Sequence, residues 1–74
     1  MYTIYTQKNC NYCTKTKDLM NEYNYEFIEI SLDYDSAAKA LMKELGHKTV
    51  PQIFNEGNIH IGGYTDLLET FKNA

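Results

Sequence analysis

Two cysteines stand three positions apart in "KNCNYCTKTK", Lys8 to Lys17, and the chain has no others. Thiols at that spacing serve one of three purposes: a structural staple, half of a metal site, or a redox couple. As a staple the pair is weak, because closing a four-residue loop is worth about 2 kcal/mol, against about 3 kcal/mol for a fifteen-residue loop. A structural zinc site wants four ligands, usually a second Cys-x-x-Cys or two closely spaced histidines. The only histidines are His47 and His60, far apart in sequence, and His60, between Ile59 and Ile61, reads as an exposed position on a short strand. No metal site is expected. The redox reading asks for a strand, a short loop and then Cys-x-x-Cys opening a helix. Free amides and the macrodipole at such a helix start favour a thiolate at Cys10, and Lys8, two residues upstream, adds to this. Cys13 lies one turn further in and faces inward. Cys10 is therefore the expected nucleophile and Cys13 the resolving thiol.

The surrounding elements suit that arrangement. "YTIYT" (Tyr2 to Thr6) is β-branched and aromatic and reads as a strand. From Tyr12 the apolar positions Cys13, Thr16, Leu19, Met20 and Tyr23 follow a helical period. "YEFIEI" (Tyr25 to Ile30) is a second strand. The helical period returns at Ala37, Leu41 and Leu45, with Asp35 or Ser36 as cap and Gly46 as stop. "PQIF" and "IHI" flank "NEGN" as a hairpin whose turn is assigned to Gly57. After Gly62-Gly63, the residues Leu67, Leu68 and Phe71 mark a last helix. The order is β-α-β-α-β-β-α, an α/β fold with a four-stranded mixed sheet flanked by helices. Leu19, Met20, Tyr23, Ile28, Leu41, Ile53 and Phe71 are expected in the core.

At 74 residues, 43% of them hydrophobic, the chain is expected to form one domain spanning 1–74 around one thin core. Its net charge of −3 argues against a nucleic-acid partner. All seven cations are lysines, so an anion site must rely on point charges and backbone amides. No apolar run has the length of a membrane span or signal-peptide core. A cytoplasmic monomer without a membrane partner is the expectation.

"CNYC" near the N-terminus, "TVPQIF" at Thr49 to Phe54 and "IGGYTDL" at Ile61 to Leu67 together resemble a dithiol glutaredoxin, in order and over essentially the whole chain. The resemblance implies a thioredoxin-like fold and glutathione-dependent thiol–disulfide exchange, with glutathione as co-substrate and no tightly bound cofactor. It implies that Cys10 attacks and Cys13 resolves, that Tyr12 holds the aromatic position of the motif, and that Pro51 is a cis-proline facing the cysteines. Glutathione would then pair with the backbone of Val50, beside Thr49. The helix amides after Gly63, at Tyr64 and Thr65, with the Thr65 hydroxyl, suit its γ-glutamyl carboxylate, and Asp66 its ammonium. Lys8 and Lys48 are candidates for the glycyl carboxylate. Asn11 stands where the family motif usually has proline, and Gln7 where a basic residue often sits.

The expected activity is reduction of protein disulfides and glutathione mixed disulfides, with disulfide-containing proteins as partners. Two other activities occur among similar proteins. One is a glutaredoxin-like redoxin fed by thioredoxin reductase and serving ribonucleotide reductase. The other is an iron–sulfur carrier in which two protomers hold a cluster through Cys10 and glutathione.

Overall fold

The computed structural model describes residues 1–73. It contains β1 (Tyr2–Thr6), α1 (Asn11–Glu22), β2 (Phe27–Ser31), α2 (Ser36–Glu44), β3 (Gln52–Phe54), β4 (His60–Gly62) and α3 (Tyr64–Lys72). The expected order of elements is the observed one. One sheet runs β2-β1-β3-β4. β1 pairs parallel with β2, ending at Thr6 opposite Ser31, and antiparallel with β3, which places Tyr5 opposite Gln52. β4 closes the edge antiparallel to β3, with an irregularity at Ile53 and Phe54.

Both sheet faces are covered, so β1 hides alternate residues on two sides. Tyr2, Ile4 and Ile53 pack with Leu19, Met20, Leu67 and Phe71 of α1 and α3. On the other face, Leu32, Ala38 and Met42 pack against Tyr5, Ile30, Val50 and Phe54. Ile4, Met20, Ile53 and Leu67 have no exposed surface, and burying each such side chain contributes about 1.5–3 kcal/mol. Thr16 is equally buried; its hydroxyl donates to the Tyr12 carbonyl at 2.7 Å, so it brings no unpaired polar group into the core.

Three expected core residues lie outside it: Tyr23, Ile28 and Leu41 are each about half exposed. Leu41 precedes Met42, and neighbouring helical positions differ by about 100° around the axis; Ala38 and Met42 take the inward face, turning Ala37, Leu41 and Leu45 to solvent. Ile28 shares a strand face with Ile30, but the cluster around α2 reaches only Ile30. Tyr23 caps the end of α1 and lies against Phe71, ring centroids 4.8 Å apart.

Helix endings explain the remaining boundary shifts. α1 closes with Asn24 at φ 59°, its N–H donating to Asn21, while Tyr25 N–H donates back to Met20 at 2.9 Å. That paired closure occupies Tyr25 and delays β2 to Phe27. α2 ends the same way with Gly46 at φ 82°, its own N–H donating to Lys43 and His47 N–H to Met42. Asp35, rather than Ser36, caps α2 by accepting the Ala38 N–H at 2.9 Å. In the hairpin the left-handed residue is Asn58, at φ 63°, and not Gly57. Asn55 shapes that turn, its side-chain oxygen accepting from the N–H groups of Gly57 and Ile59.

Candidate active site

The loop from β1 to α1 is tied at its start by the Lys8 N–H, which donates to the Asp33 carboxylate at 2.7 Å. Asn9 then adopts a left-handed conformation, φ 57°, which asparagine tolerates better than most residues. That turn delivers Cys10 to the helix N-cap in an extended conformation, φ −116° and ψ 102°. N-cap positions usually carry a side-chain oxygen; here sulfur takes that part, Cys10 Sγ accepting the Cys13 N–H at 3.1 Å. The two cysteines are joined as a disulfide with Cα atoms 5.2 Å apart. Cys13 is 3% exposed whereas Cys10 is only partly covered, so an incoming disulfide meets Cys10 first.

Across from the disulfide, the Val50–Pro51 peptide is cis. The Val50 carbonyl oxygen lies 3.8 Å from Cys10 Sγ. A groove of about 160 Å³ opens here, lined by Tyr12, Thr49, Val50, Pro51, Gly63, Tyr64, Thr65 and Asp66. Its residues come from α1, the turn before β3, and the start of α3. Tyr12 and Tyr64 stand with ring centroids 5.8 Å apart, and Lys15 Nζ lies 5.2 Å from the Tyr12 ring centre, within cation–π range.

The α3 end of the groove depends on two glycines. Gly62 sits at φ 124°, and a Cβ there would fall 2.7 Å from Asp66 Cγ. With Gly62 bare, the Asp66 carboxylate folds back and accepts the Gly63 N–H at 2.9 Å. Asp66 thus caps α3, while Thr65 stays exposed at the helix start, where amides and dipole favour an anion.

Of the ten residues expected to hold glutathione, eight line this groove. Lys8 does not. It borders a separate cleft of about 310 Å³ that touches both cysteines together with Lys17, Glu29, Asp33 and Tyr34; its ammonium lies 5.8 Å from the Tyr34 ring centre. Lys48 borders a third cleft of about 250 Å³ with Lys39, Lys43 and His47, which shares Thr49 and Val50 with the groove.

Two ionisable groups near the site are perturbed. The Glu29 carboxyl is held below its ordinary value of 4.5, chiefly because the Thr6 hydroxyl donates to it at 2.7 Å, with Lys17 assisting at 3.2 Å and partial burial opposing. This contact joins β1, β2 and α1 just below the cysteines. His60 is lowered from 6.5, first by partial desolvation and then by His47, with Asp66 acting the other way.

One polar group at the site escaped the sequence reading. Gln52 is 6% exposed, and its amide binds Thr49 and His60. Its signal was a polar residue within the otherwise apolar run after Pro51, at a strand position that must be buried.

A mixed four-stranded sheet flanked by helices, with a Cys-x-x-Cys opening a helix opposite a cis-proline, defines the thioredoxin fold as thiol proteins carry it. The glutaredoxin family model matches residues 2–61. Glutaredoxin 1 of Rickettsia felis is 46% identical over 74 aligned residues, covering 96% of this chain and 72% of its own. Two solved structures are also similar: glutaredoxin 1 of Francisella tularensis in complex with cacodylate (TM-score 0.81, 31% identity, 97% of this chain and 92% of that one) and a buckwheat glutaredoxin–glutathione complex (TM-score 0.82, 29% identity, 97% and 68%). The chain belongs to the glutaredoxin family, whose members are typically thiol–disulfide oxidoreductases. No helix among the described residues is long and apolar enough to cross a membrane.

Proposed function

We propose that this chain is a glutathione-dependent thiol–disulfide oxidoreductase that reduces glutathione mixed disulfides and protein disulfides through Cys10 and Cys13. The observation that carries the reading is the placement of Cys10 Sγ. It accepts an amide hydrogen at the start of α1 and faces Val50, beside a groove of suitable chemistry for a tripeptide with two carboxylates and one ammonium.

The cycle starts from the reduced dithiol. The Cys10 thiolate attacks the glutathionyl sulfur of a mixed disulfide; the Cys10–glutathione bond forms, the old S–S bond breaks, and the substrate leaves as a thiolate that takes a proton from water. A second glutathione thiolate then attacks the bound glutathionyl sulfur, releasing oxidised glutathione and restoring the Cys10 thiolate. For a protein disulfide, Cys13 attacks Cys10 instead, expelling the reduced protein and leaving the Cys10–Cys13 disulfide for two glutathione molecules to reduce. Bound glutathione runs along Val50, its γ-glutamyl end towards Tyr64, Thr65 and Asp66. Lys48 borders a cleft that shares Thr49 and Val50 with the groove, and so suits the glycyl carboxylate better than Lys8, whose cleft shares no lining residue with the groove. That a similar buckwheat glutaredoxin was solved in complex with glutathione supports glutathione as the ligand.

The deciding experiment supplies the oxidised protein with glutathione plus glutathione reductase, or with thioredoxin reductase alone, and follows turnover of a disulfide substrate. Turnover with glutathione is expected. Turnover confined to thioredoxin reductase would overturn the proposal.

A further inference from the structure

Thr49 and Val50 lie outside every helix and strand, and among the described residues neither makes a backbone–backbone hydrogen bond. Free backbone groups suit a segment that must pair with a ligand, yet something else must then hold it still. The Gln52 side chain is placed to do so. Its NH₂ donates to the Thr49 carbonyl at 2.9 Å and to the Thr49 hydroxyl at 3.2 Å. A carbonyl can only accept, so the amide orientation is forced, and Gln52 Oε1 must face His60. His60 Nε2 lies 2.7 Å from that oxygen and must carry the proton it shares. The imidazole is itself braced: it stacks on His47 at 4.2 Å between centroids and contacts Phe54 at 5.0 Å. A buried amide with both ends occupied thus links β4 to the turn ahead of Pro51.

We propose that Gln52, oriented by His60, is a positioning residue for glutathione: it fixes Thr49 and, through it, the Val50 backbone along which the ligand lies. The inference rests on the glutathione-dependent reading above. Neither side chain touches the reacting sulfurs, so loss of the link acts on binding and leaves the chemical step alone.

The test is steady-state kinetics on a glutathionylated peptide with the full chain. His60→Phe keeps a ring on His47 and Phe54 but lacks the donor, and should raise KM about three- to tenfold, the cost of one lost hydrogen bond, with kcat nearly unchanged. His60→Gln, whose amide nitrogen sits near the old Nε2 position, should restore the wild-type KM. Gln52→Leu should match or exceed His60→Phe, and the double variant should be no worse than Gln52→Leu alone, because one link can be broken only once. Should Gln52→Leu fold poorly, the two variants at exposed His60 decide the matter, together with a displaced Val50 amide resonance in His60→Phe that His60→Gln reverses. An unchanged KM in His60→Phe, a loss confined to kcat, or additive effects in a well-folded double variant would each reject the positioning role. Cys10→Ser is run alongside: turnover surviving there rejects the underlying reading, whereas a dead Cys10→Ser with an unchanged KM in His60→Phe rejects only the role of Gln52.

Discussion

The Cys13 N–H points at Cys10 Sγ across 3.1 Å, one turn into the same helix. An amide hydrogen aimed at sulfur favours the charged form of that sulfur, and the helix dipole acts in the same direction. Lys8 contributes less than its closeness in sequence implies, because its ammonium lies towards Tyr34. Ultraviolet titration of the reduced protein should therefore show thiolate absorbance already present at neutral pH, and Lys8→Met should leave the curve nearly in place. A midpoint at the ordinary thiol value of about 8.5 would remove the basis of the mechanism.

The difference in exposure between the two cysteines predicts unequal phenotypes. Cys10→Ser should abolish every activity. Cys13→Ser should still remove glutathione from a mixed disulfide, where a second glutathione can resolve the intermediate, and should fail on protein disulfides. Parallel assays on a glutathionylated peptide and a protein disulfide distinguish the two; turnover in the Cys10 variant would mean that another group is the nucleophile.

Gly62 and Asp66 share one small space. Gly62→Ala must place a methyl against the Asp66 carboxylate at a left-handed backbone position, so it should cost more than about 1 kcal/mol and also weaken glutathione binding by displacing the α3 cap. Gly57→Ala, whose Cβ would meet nothing nearer than 3.5 Å, should be nearly neutral. Urea melts of both variants make the comparison, and equal midpoints would contradict the packing.

Glu29 predicts an acid limb in stability. Its folded carboxyl titrates below 4.5, so the native state binds fewer protons than the unfolded chain in that range. The resulting stabilisation is fully present above 4.5 and is lost as pH falls through the lower folded value. Thr6→Val removes the first cause of the shift, the hydroxyl donor, and should flatten this limb while Lys17→Met flattens it less. Denaturant midpoints between pH 6 and about pH 3 read the effect; a wild-type profile for Thr6→Val would show that the hydroxyl is not responsible.

The element order, the helix stop at Gly46, a cap at Asp35 or Ser36 and the Cys-x-x-Cys at a helix start were legible because each depends on short-range backbone chemistry. The face of α2 was not: Ala37, Leu41 and Leu45 share the period of a buried stripe with Ala38 and Met42, and only the position of the sheet decides which set is covered. Ile28 failed for the same reason, since its burial depends on how far α2 extends over β2. At the hairpin, Gly57 and Asn58 both tolerate a left-handed backbone, and the Asn55 side chain chose between them.

The amino-acid order alone determined the groups available to this protein: one cysteine at a helix start, a second one turn away, and a proline beside a backbone free to pair. Only tertiary structure decided which residues share the groove, because Tyr12, Val50 and Tyr64 are distant along the chain and meet where the sheet brings α1, the turn before β3, and α3 together. It also set Lys8 apart from Lys48 and joined His60 to Thr49 through Gln52. Hydrogen bonds and screened charges act over a few ångströms, and distance along the chain does not specify that separation.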